Sequence, residues 1–472
     1  MGEDIATARF TEDDFAQFAS RLRKETKIAE ELLAANRFSN AGYTLGFELE
    51  AWIVDHNYFP ASINQRLLET LAHPLVVPEL SRFNVELNCE PLPLTGAVFD
   101  LAHDALSRLW SQCNATAHQL DANMVMIGTL PTIRDDDLCL ANMSPFNRFY
   151  ALNDEVLRRR RGRKLRVDIA GRDHLVSEHA DVMLEAATTS FQIHLKTPAS
   201  LAHLYYNASV AASGPILAAC GNSPFLFGKS LWDETRIPLF EQSVDVPCAH
   251  GDRSRVTFGR GYLEHSVHDI FQENLDEYPV LLPISYDDPA SNLRHLRLHN
   301  GTIWRWNRPL IGFDPDGAPH LRIEHRILPA GPSIRDMIAN TALYVGLVYS
   351  LVTRGGDGAD SLSHDDARRN FYAAAQHGLE ANLTWPGVGT IAADQLILDH
   401  LLELARRGLD QLKIDWRSGG WLDIVEARVR SKRTGANWQR GAYDARGRDV
   451  FELMAAYCER QRSGAPVHEW EL

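Results

Sequence analysis

The chain has 472 residues, more than one ordinary small core accommodates, so the expectation is one large domain or a main domain with a helical annex. Its 45% apolar and 23% charged residues are those of a globular protein, and a formal charge of −14 disfavours non-specific binding to nucleic acid or membrane. No apolar run reads as a transmembrane span. Met1 to Asp4 is acidic with no apolar stretch behind it, and six cysteines at 89, 113, 139, 220, 248 and 458 show no paired spacing. The expectation is a cytoplasmic protein with reduced cysteines, no usual secretory signal, no disulfide framework and no structural zinc site.

In chain order, Thr11-Glu12-Asp13-Asp14 is a capping signature, followed by helical periodicity through Phe15, Phe18, Leu22, Ile28 and Leu32, so residues 1–40 read as a leading amphipathic helix. The apolar segment from Tyr43 to Val54 carries Gly46-Phe47-Glu48-Leu49-Glu50. In a strand, Glu48 and Glu50 share one face while Phe47, Leu49 and Ala51 share the other. Two carboxylates side by side repel, more strongly where water is scarce, and a divalent cation between them is the simplest remedy. A half-solvated strand with polar residues facing water has the same pattern.

Further stretches repeat the pattern. Asn84, Glu86, Asn88 and Glu90 alternate with Val85, Leu87 and Cys89 before Pro91 and Pro93 close the strand, with Glu79 just upstream. Residues 97–123 have a helical period, and Met124 to Gly128 reads as a short buried strand. Residues 144–166 form a polar, helix-like segment ending in a basic run from Arg158 to Arg166, which suits a solvated face or nucleotide phosphates. Over Thr188–Leu195, Gln192 and His194 share a strand face. A helix through 199–219 leads into the turn-rich Cys220–Gly228 and a helix start near Arg236. Leu293–His299 alternates so as to place His295, Arg297 and His299 on one strand face, and over His320–Pro329 Arg322, Glu324 and Arg326 share a face. After Pro332 the chain reads as helical to about residue 415, broken by the loop Gly355–Asp360, and 431–440 reads as a mobile basic stretch.

The class is α+β, a strand-rich middle wrapped by helices, with residues 336–472 mainly helical. Brought onto one sheet, Glu48, Glu50, Glu79, Glu86, Gln192, His194, Arg297, Arg322, Glu324 and Arg326 would form a charged face too costly to bury unless it binds something charged. Carboxylates with one histidine suit Mg2+ or Mn2+, and arginines suit phosphoryl and carboxylate groups. There is no Walker-type glycine loop or kinase signature.

The chain resembles the glutamate–cysteine ligase family of carboxylate–amine ligases, which share the glutamine-synthetase-like fold. The resemblance rests on Gly46-Phe47-Glu48-Leu49-Glu50, Glu79 seven positions before Glu86, Phe191-Gln192-Ile193-His194, Asn222-Ser223-Pro224-Phe225 with Gly228 and Arg236, and Arg322-Ile323-Glu324-His325-Arg326. It implies a single catalytic domain over 1–472 with a curved, mainly antiparallel sheet, helices behind, and ATP with magnesium on the concave face. It further implies Glu48, Glu50, Glu79, Glu86, His194 and Glu324 as metal ligands, with Glu324 and Arg326 nearest the transferring phosphoryl group. Arg236, Arg297, Arg322 and Gln192 then contact nucleotide phosphate or substrate carboxylate. The implied reaction activates a glutamate-like carboxylate with ATP to an acyl phosphate and traps it with an amine, releasing ADP. Small-molecule substrates are the expected partners, with room for a homo-oligomer. A phosphagen-kinase-like phosphotransferase would form no amide, and a non-catalytic ligand-binding relative would lose the metal. Trp304 and Trp306 beside Arg305 have no assigned role.

Overall fold

The alternation around Glu48 builds the strand on which the main sheet is assembled. In the computed structural model, which describes residues 4, 5, 7–246, 254–354 and 362–472, the strands run β1 (Thr44–Val54), β2 (Val76–Pro78), β3 (Asn84–Asn88), β4 (Leu92–Pro93), β5 (Asn123–Val125), β6 (Leu165–Ala170), β7 (His174–His179), β8 (Phe191–Thr197), β9 (Phe225–Leu226), β10 (Lys229–Ser230), β11 (Val256–Thr257), β12 (Trp304–Arg305), β13 (Asn307–Phe313) and β14 (Pro319–His325). Cys248 and the loop Gly355–Asp360 lie outside the described residues. The principal sheet is curled and runs β13-β14-β8-β1-β3-β2, with β4 and β5 also paired to β1. Its pairings are all antiparallel.

One face of that sheet is apolar. Leu45, Phe47 and Leu49 of β1, Ile193 and Leu195 of β8 and Ile323 of β14 are buried in one large cluster. The helices preceding and backing the sheet are α1 (Glu12–Ala34), α2 (Asn64–Leu71), α3 (Val98–Gln119), α4 (Asn147–Arg159), α5 (Ala202–Cys220), α6 (Arg236–Ser243), α7 (His268–Glu277), α8 (Arg294–Gly301) and α9 (Ile334–Thr353). Helix α1 begins as read, with Thr11 and Asp14 forming a reciprocal capping box. Helices α5 and α9 are apolar on nearly every side and share the sheet's cluster. By length and composition α9 could span a bilayer, but 78% of its apolar window is buried against the rest of the fold, as in a core helix. The five described cysteines are free.

Three readings of local structure are corrected. Leu293–His299 is not a strand: Leu293 takes a left-handed conformation (φ 52°) and α8 follows it. Its buried residues, His295, Leu296, His299 and Asn300, form a helical stripe, and the alternating pattern gives way to that tertiary contact. The expected continuous helical region after Pro332 is interrupted by a hairpin, Asn382–Trp385 with Gly389–Ala392. Within residues 431–440, Gly435 opens a helix to Ala445, capped by Thr434, and Trp438 and Gln439 are fully buried, so its tryptophan anchors the stretch in the core. The basic run is largely ion-paired: Arg158 and Arg159 to Glu155 and Arg160 to Asp245.

Glu241 on α6 accepts hydrogen bonds from Trp306 Nε1 (2.9 Å) and Tyr372 Oη (2.7 Å). Burial pushes its carboxyl up to about 7. Because the folded value lies above the unfolded one, its stabilising contribution is complete below the unfolded carboxyl range and is lost as pH rises through about 7. Urea unfolding of Glu241→Gln against wild type is expected to show a difference that moves in the variant's favour by roughly 1 kcal/mol per pH unit between pH 5 and 7. A pH-independent difference would show that Glu241 ionises as readily in the folded chain as in the unfolded one.

Candidate active site

The polar face of the sheet gathers what period-two alternation separated in sequence. Glu48 pairs across to Gln192 on β8 and Asn88 on β3, Glu50 to Glu86, and His194 to Glu324, while Arg308 on β13 lies opposite Glu324. His194 Nε2 stands 3.3 Å from Glu48 Oε1 and 3.8 Å from Glu324 Oε1. One ligand atom from each of Glu48, His194 and Glu324 lies within 4.8 Å of the others. Gln192 joins the two halves of the face: its Nε2 donates to Glu50 Oε1 (2.9 Å), and its Oε1 accepts from Arg326 Nη1. The main-chain N of Ser190 donates to the other Glu50 oxygen (2.7 Å).

The charges divide this face in two. Across β8 and β14 positive groups dominate. Burial works against ionisation of Glu324, but Arg308 and Arg326 hold its carboxyl well below the usual range. Arg308 grips it with Nε to Oε2 (2.7 Å) and Nη2 to Oε1 (3.0 Å), and Arg326 Nη1 is 3.3 Å from Oε2. Glu48, also resisted by burial, is held low by His194 and Arg326. Across β1, β2 and β3 the balance reverses. Burial, with Glu86 adding to it against the pull of Arg326, raises Glu50. Burial and the charges of Glu86 and Glu50 raise Glu79, and burial with Glu48 raises Glu86. Like charges in a dry site favour protons or a cation.

Sequence periodicity missed two members of the face. Glu185, in a short 3-10 turn over Met183–Ala187, is pushed up to about 8 by burial and the charge of Glu50. It lies outside any alternating run and leaves no sequence signal. Arg308 was hidden because β13 was not recognised, although Trp306-Asn307-Arg308-Pro309 precedes an apolar run that pairs with β14.

The arginines take different stations. Arg322 donates from Nε to His194 Nδ1 (3.0 Å) and lines a cavity of about 1430 Å3 beside the sheet. Arg297, read as a strand residue, instead reaches that cavity from α8, its guanidinium 5.5 Å from the Phe313 ring centre. Trp304 lines the same cavity. Arg236 is 2% exposed, donates to Glu234 Oε1 (3.0 Å) and to the main-chain oxygens of Arg326 and Ile327, and lies over the Trp306 ring. Its donors brace the chain carrying Arg326. Asn222 likewise braces, donating to Ala330 O (2.8 Å) and Tyr457 Oη (2.9 Å).

The donor set fits a hard divalent cation. One buried oxygen of Glu79 meets no donor, and the carboxyls of Glu50, Glu79 and Glu86 stay raised despite the charges of Arg326 and Arg148 nearby, the environment Mg2+ or Mn2+ relieves. Binding through His194 Nε2 puts the ring proton on Nδ1, so coordination there and the Arg322 bond exclude each other.

No curated protein matches the chain. Among solved structures, the glutamate–cysteine ligase of Francisella tularensis in complex with AMP superposes with a TM-score of 0.55 at 12% identity, covering 90% of each chain. A bifunctional glutathione synthetase from Pasteurella multocida gives 0.47 at 10% identity, covering 93% of this chain and 55% of that one. The first of these likenesses establishes the fold, an α+β architecture around a curled antiparallel sheet. The model of glutamate–cysteine ligase family 2 matches residues 44–448, a span that holds every residue of the charged face, and the chain belongs to that family.

Proposed function

We propose that this protein is an ATP-dependent ligase that activates a glutamate-like carboxylate as an acyl phosphate and traps it with an amine to form an amide, releasing ADP. Family membership supports the amide-forming ligase class. The observation that carries the finer reading is Arg326, held by Glu324 and Gln192 at the junction between the carboxylate-rich and cation-rich halves of the sheet. A guanidinium fixed in this way is a planar, preorganised donor for charge that develops on a phosphoryl group in flight.

In this reading Glu48, Glu50, Glu79, Glu86, His194 and Glu324 would hold magnesium or manganese. The bound cation would neutralise ATP phosphates and the oxygen leaving the carboxylate. Gln192 keeps Glu50 and Arg326 oriented toward each other across β8 and β1. Arg308 keeps Glu324 ionised, so its carboxylate stays an acceptor at neutral pH. Arg322 and Arg297, facing one cavity, suit the substrate carboxylate or a terminal phosphate, and Arg236 contributes by fixing the main chain beyond β14. The charged face offers carboxylates, arginines and His194, with His320 and His325 of β14 bonded to Asp314 and Asn307 and Ser190 tied to Gln192 rather than to a base, so a direct attack of substrate carboxylate on the γ-phosphate is the favoured path.

Three outcomes are expected. With the acid substrate labelled by heavy oxygen, mass analysis should find label in inorganic phosphate, and AMP with pyrophosphate as products would eliminate the acyl-phosphate route. Glu48→Gln and Glu86→Gln should each lose about 100-fold or more of ATP turnover with unchanged circular dichroism. They should also weaken Mn2+ binding followed by electron paramagnetic resonance, and normal turnover in both would remove them as ligands. Arg326→Lys should lower kcat by about 100-fold while changing the ATP KM far less, since a point charge cannot reproduce the planar fork. A defect confined to KM would make Arg326 a ground-state contact.

A further inference from the structure

The family match begins at residue 44, yet the segment before it is built into the wall of the cavity beside the charged face. Asp4, Ile5, Leu32 and Arg37 all line that cavity. The segment is fastened at both ends. Ile5 O accepts from Asn147 Nδ2 (2.8 Å) and Asp4 Oδ1 from the main-chain N of Arg148 (3.2 Å), both at the start of α4, while Ser39 N donates to Pro319 O (2.7 Å) at the start of β14.

Between these ends α1 inserts one carboxylate into the protein. Glu25 is 1% exposed, as is His295. Glu25 Oε2 accepts from the main-chain N of His295 (2.8 Å) and of Leu296 (3.0 Å), and Oε1 lies 2.7 Å from His295 Nδ1. Both oxygens are therefore spent on the first turn of α8. A carboxylate at that position satisfies amides that have no partner within the helix and complements the positive end of its dipole. Phe18 of α1 and Tyr286 close on the His295 ring edge-on, with centroids 5.2 and 5.4 Å away.

What α8 carries explains why such a clamp matters. Arg294 pairs with Asp288 (2.8 Å) and stacks over Tyr286. Arg297, one residue beyond the capped amides, enters the cavity toward the end where Arg322 lies and has no carboxylate partner among the described residues. Of the acids that line the cavity, Asp288 pairs with Arg294, Asp4 accepts from the main-chain N of Arg148 and Asp316 from the main-chain N of Ala318. Arg322 has Glu48 and Glu324 beside it on the sheet, whereas Arg297 has no such carboxylate, so the affinity of an anion in the cavity depends on where α8 holds Arg297.

We propose that residues 4, 5 and 7–37 complete the substrate cavity and that Glu25 is a positioning residue, setting Arg297 through the first turn of α8 so that Arg297 and Arg322 together receive a carboxylate group. The proposal rests on the ligase reading only for the identity of that carboxylate, and its test is a binding measurement that needs no turnover. Glutarate titrated calorimetrically into the full chain serves as the carboxylate probe, with tripolyphosphate and magnesium ADP as separate arms. Arg297→Ala and Glu25→Ala are each expected to weaken glutarate at least tenfold. Glu25→Gln, which keeps an oxygen for both main-chain amides, should stay within threefold of wild type. Magnesium ADP should move less than threefold in every variant. Glu25→Asp, shorter by one methylene, takes the place of Glu25→Ala if the latter does not fold, with the same expectation.

Unchanged glutarate affinity in a folded Glu25→Ala or Glu25→Asp protein would overturn the proposal, as would equal losses of glutarate and ADP. Absence of saturable glutarate binding to wild type, or a preference for tripolyphosphate that Arg297→Ala abolishes, would overturn the carboxylate assignment. If no acid and amine pair yields ADP while the glutarate pattern holds, the ligase reading fails and the clamp stands.

Discussion

The structure turns on the repulsion among carboxylates that share one face of a sheet. Glu48, Glu50, Glu79, Glu86, Glu185 and Glu324 are drawn together by strand pairing and by the turns beside it, in surroundings with little water. Burying one such group without compensation costs several kcal/mol, so the arrangement persists only where opposing charge is supplied. On the β8–β14 side the protein supplies its own, through Arg308 and Arg326. On the β1–β3 side the charges of Arg326 and Arg148 do not offset burial and mutual repulsion, so the carboxyls of Glu50, Glu79 and Glu86 stay raised, an environment that suits a cation.

That asymmetry gives the apolar face its purpose. Phe47, Leu49, Ile193, Leu195 and Ile323 bury the back of the same strands, and α5 and α9 seal them. Rigid backing keeps the front-face carboxylates from relaxing away from one another, so their mutual repulsion is retained for use in binding. The same logic extends behind the site. Arg236 donates to the main chain just beyond β14, and Asn222 links the loop after α5 to Ala330 and Tyr457, so residues of a recognisable motif act on the charged face by fixing backbone.

The cavity adjoining the face is assembled from more distant parts of the chain. Helices α4 and α8, strand β13 and the N-terminal segment each contribute a wall, and among the described residues only Arg322 belongs to both cavity and charged face. Arg322 also holds His194 through Nδ1. A group that binds Arg322 from the cavity side therefore acts on the ring that faces Glu48 and Glu324, which couples the two compartments through a single hydrogen bond.

Alternation by itself determined much of this. Period two in β1, β3, β8 and β14 assigns Glu48, Glu50, Glu86, Gln192, His194, Glu324 and Arg322 to polar faces, because a strand allows no other disposition of neighbouring side chains. The α+β class and the capped leading helix were legible for equally local reasons. Which strands become neighbours was not, since antiparallel register depends on contacts between residues more than a hundred positions apart, as for Glu50 with Ser190, and on strands that leave no clear alternation, as where β13 sets Arg308 opposite Glu324. Only the tertiary structure decided that Glu185 joins the carboxylates from a turn without periodicity. It decided too that Leu293–His299 is helical. Its His-Leu-Arg-Leu-His alternation favours a strand locally, but a buried carboxylate from Glu25, 270 residues earlier, caps its amides and stabilises the helix instead.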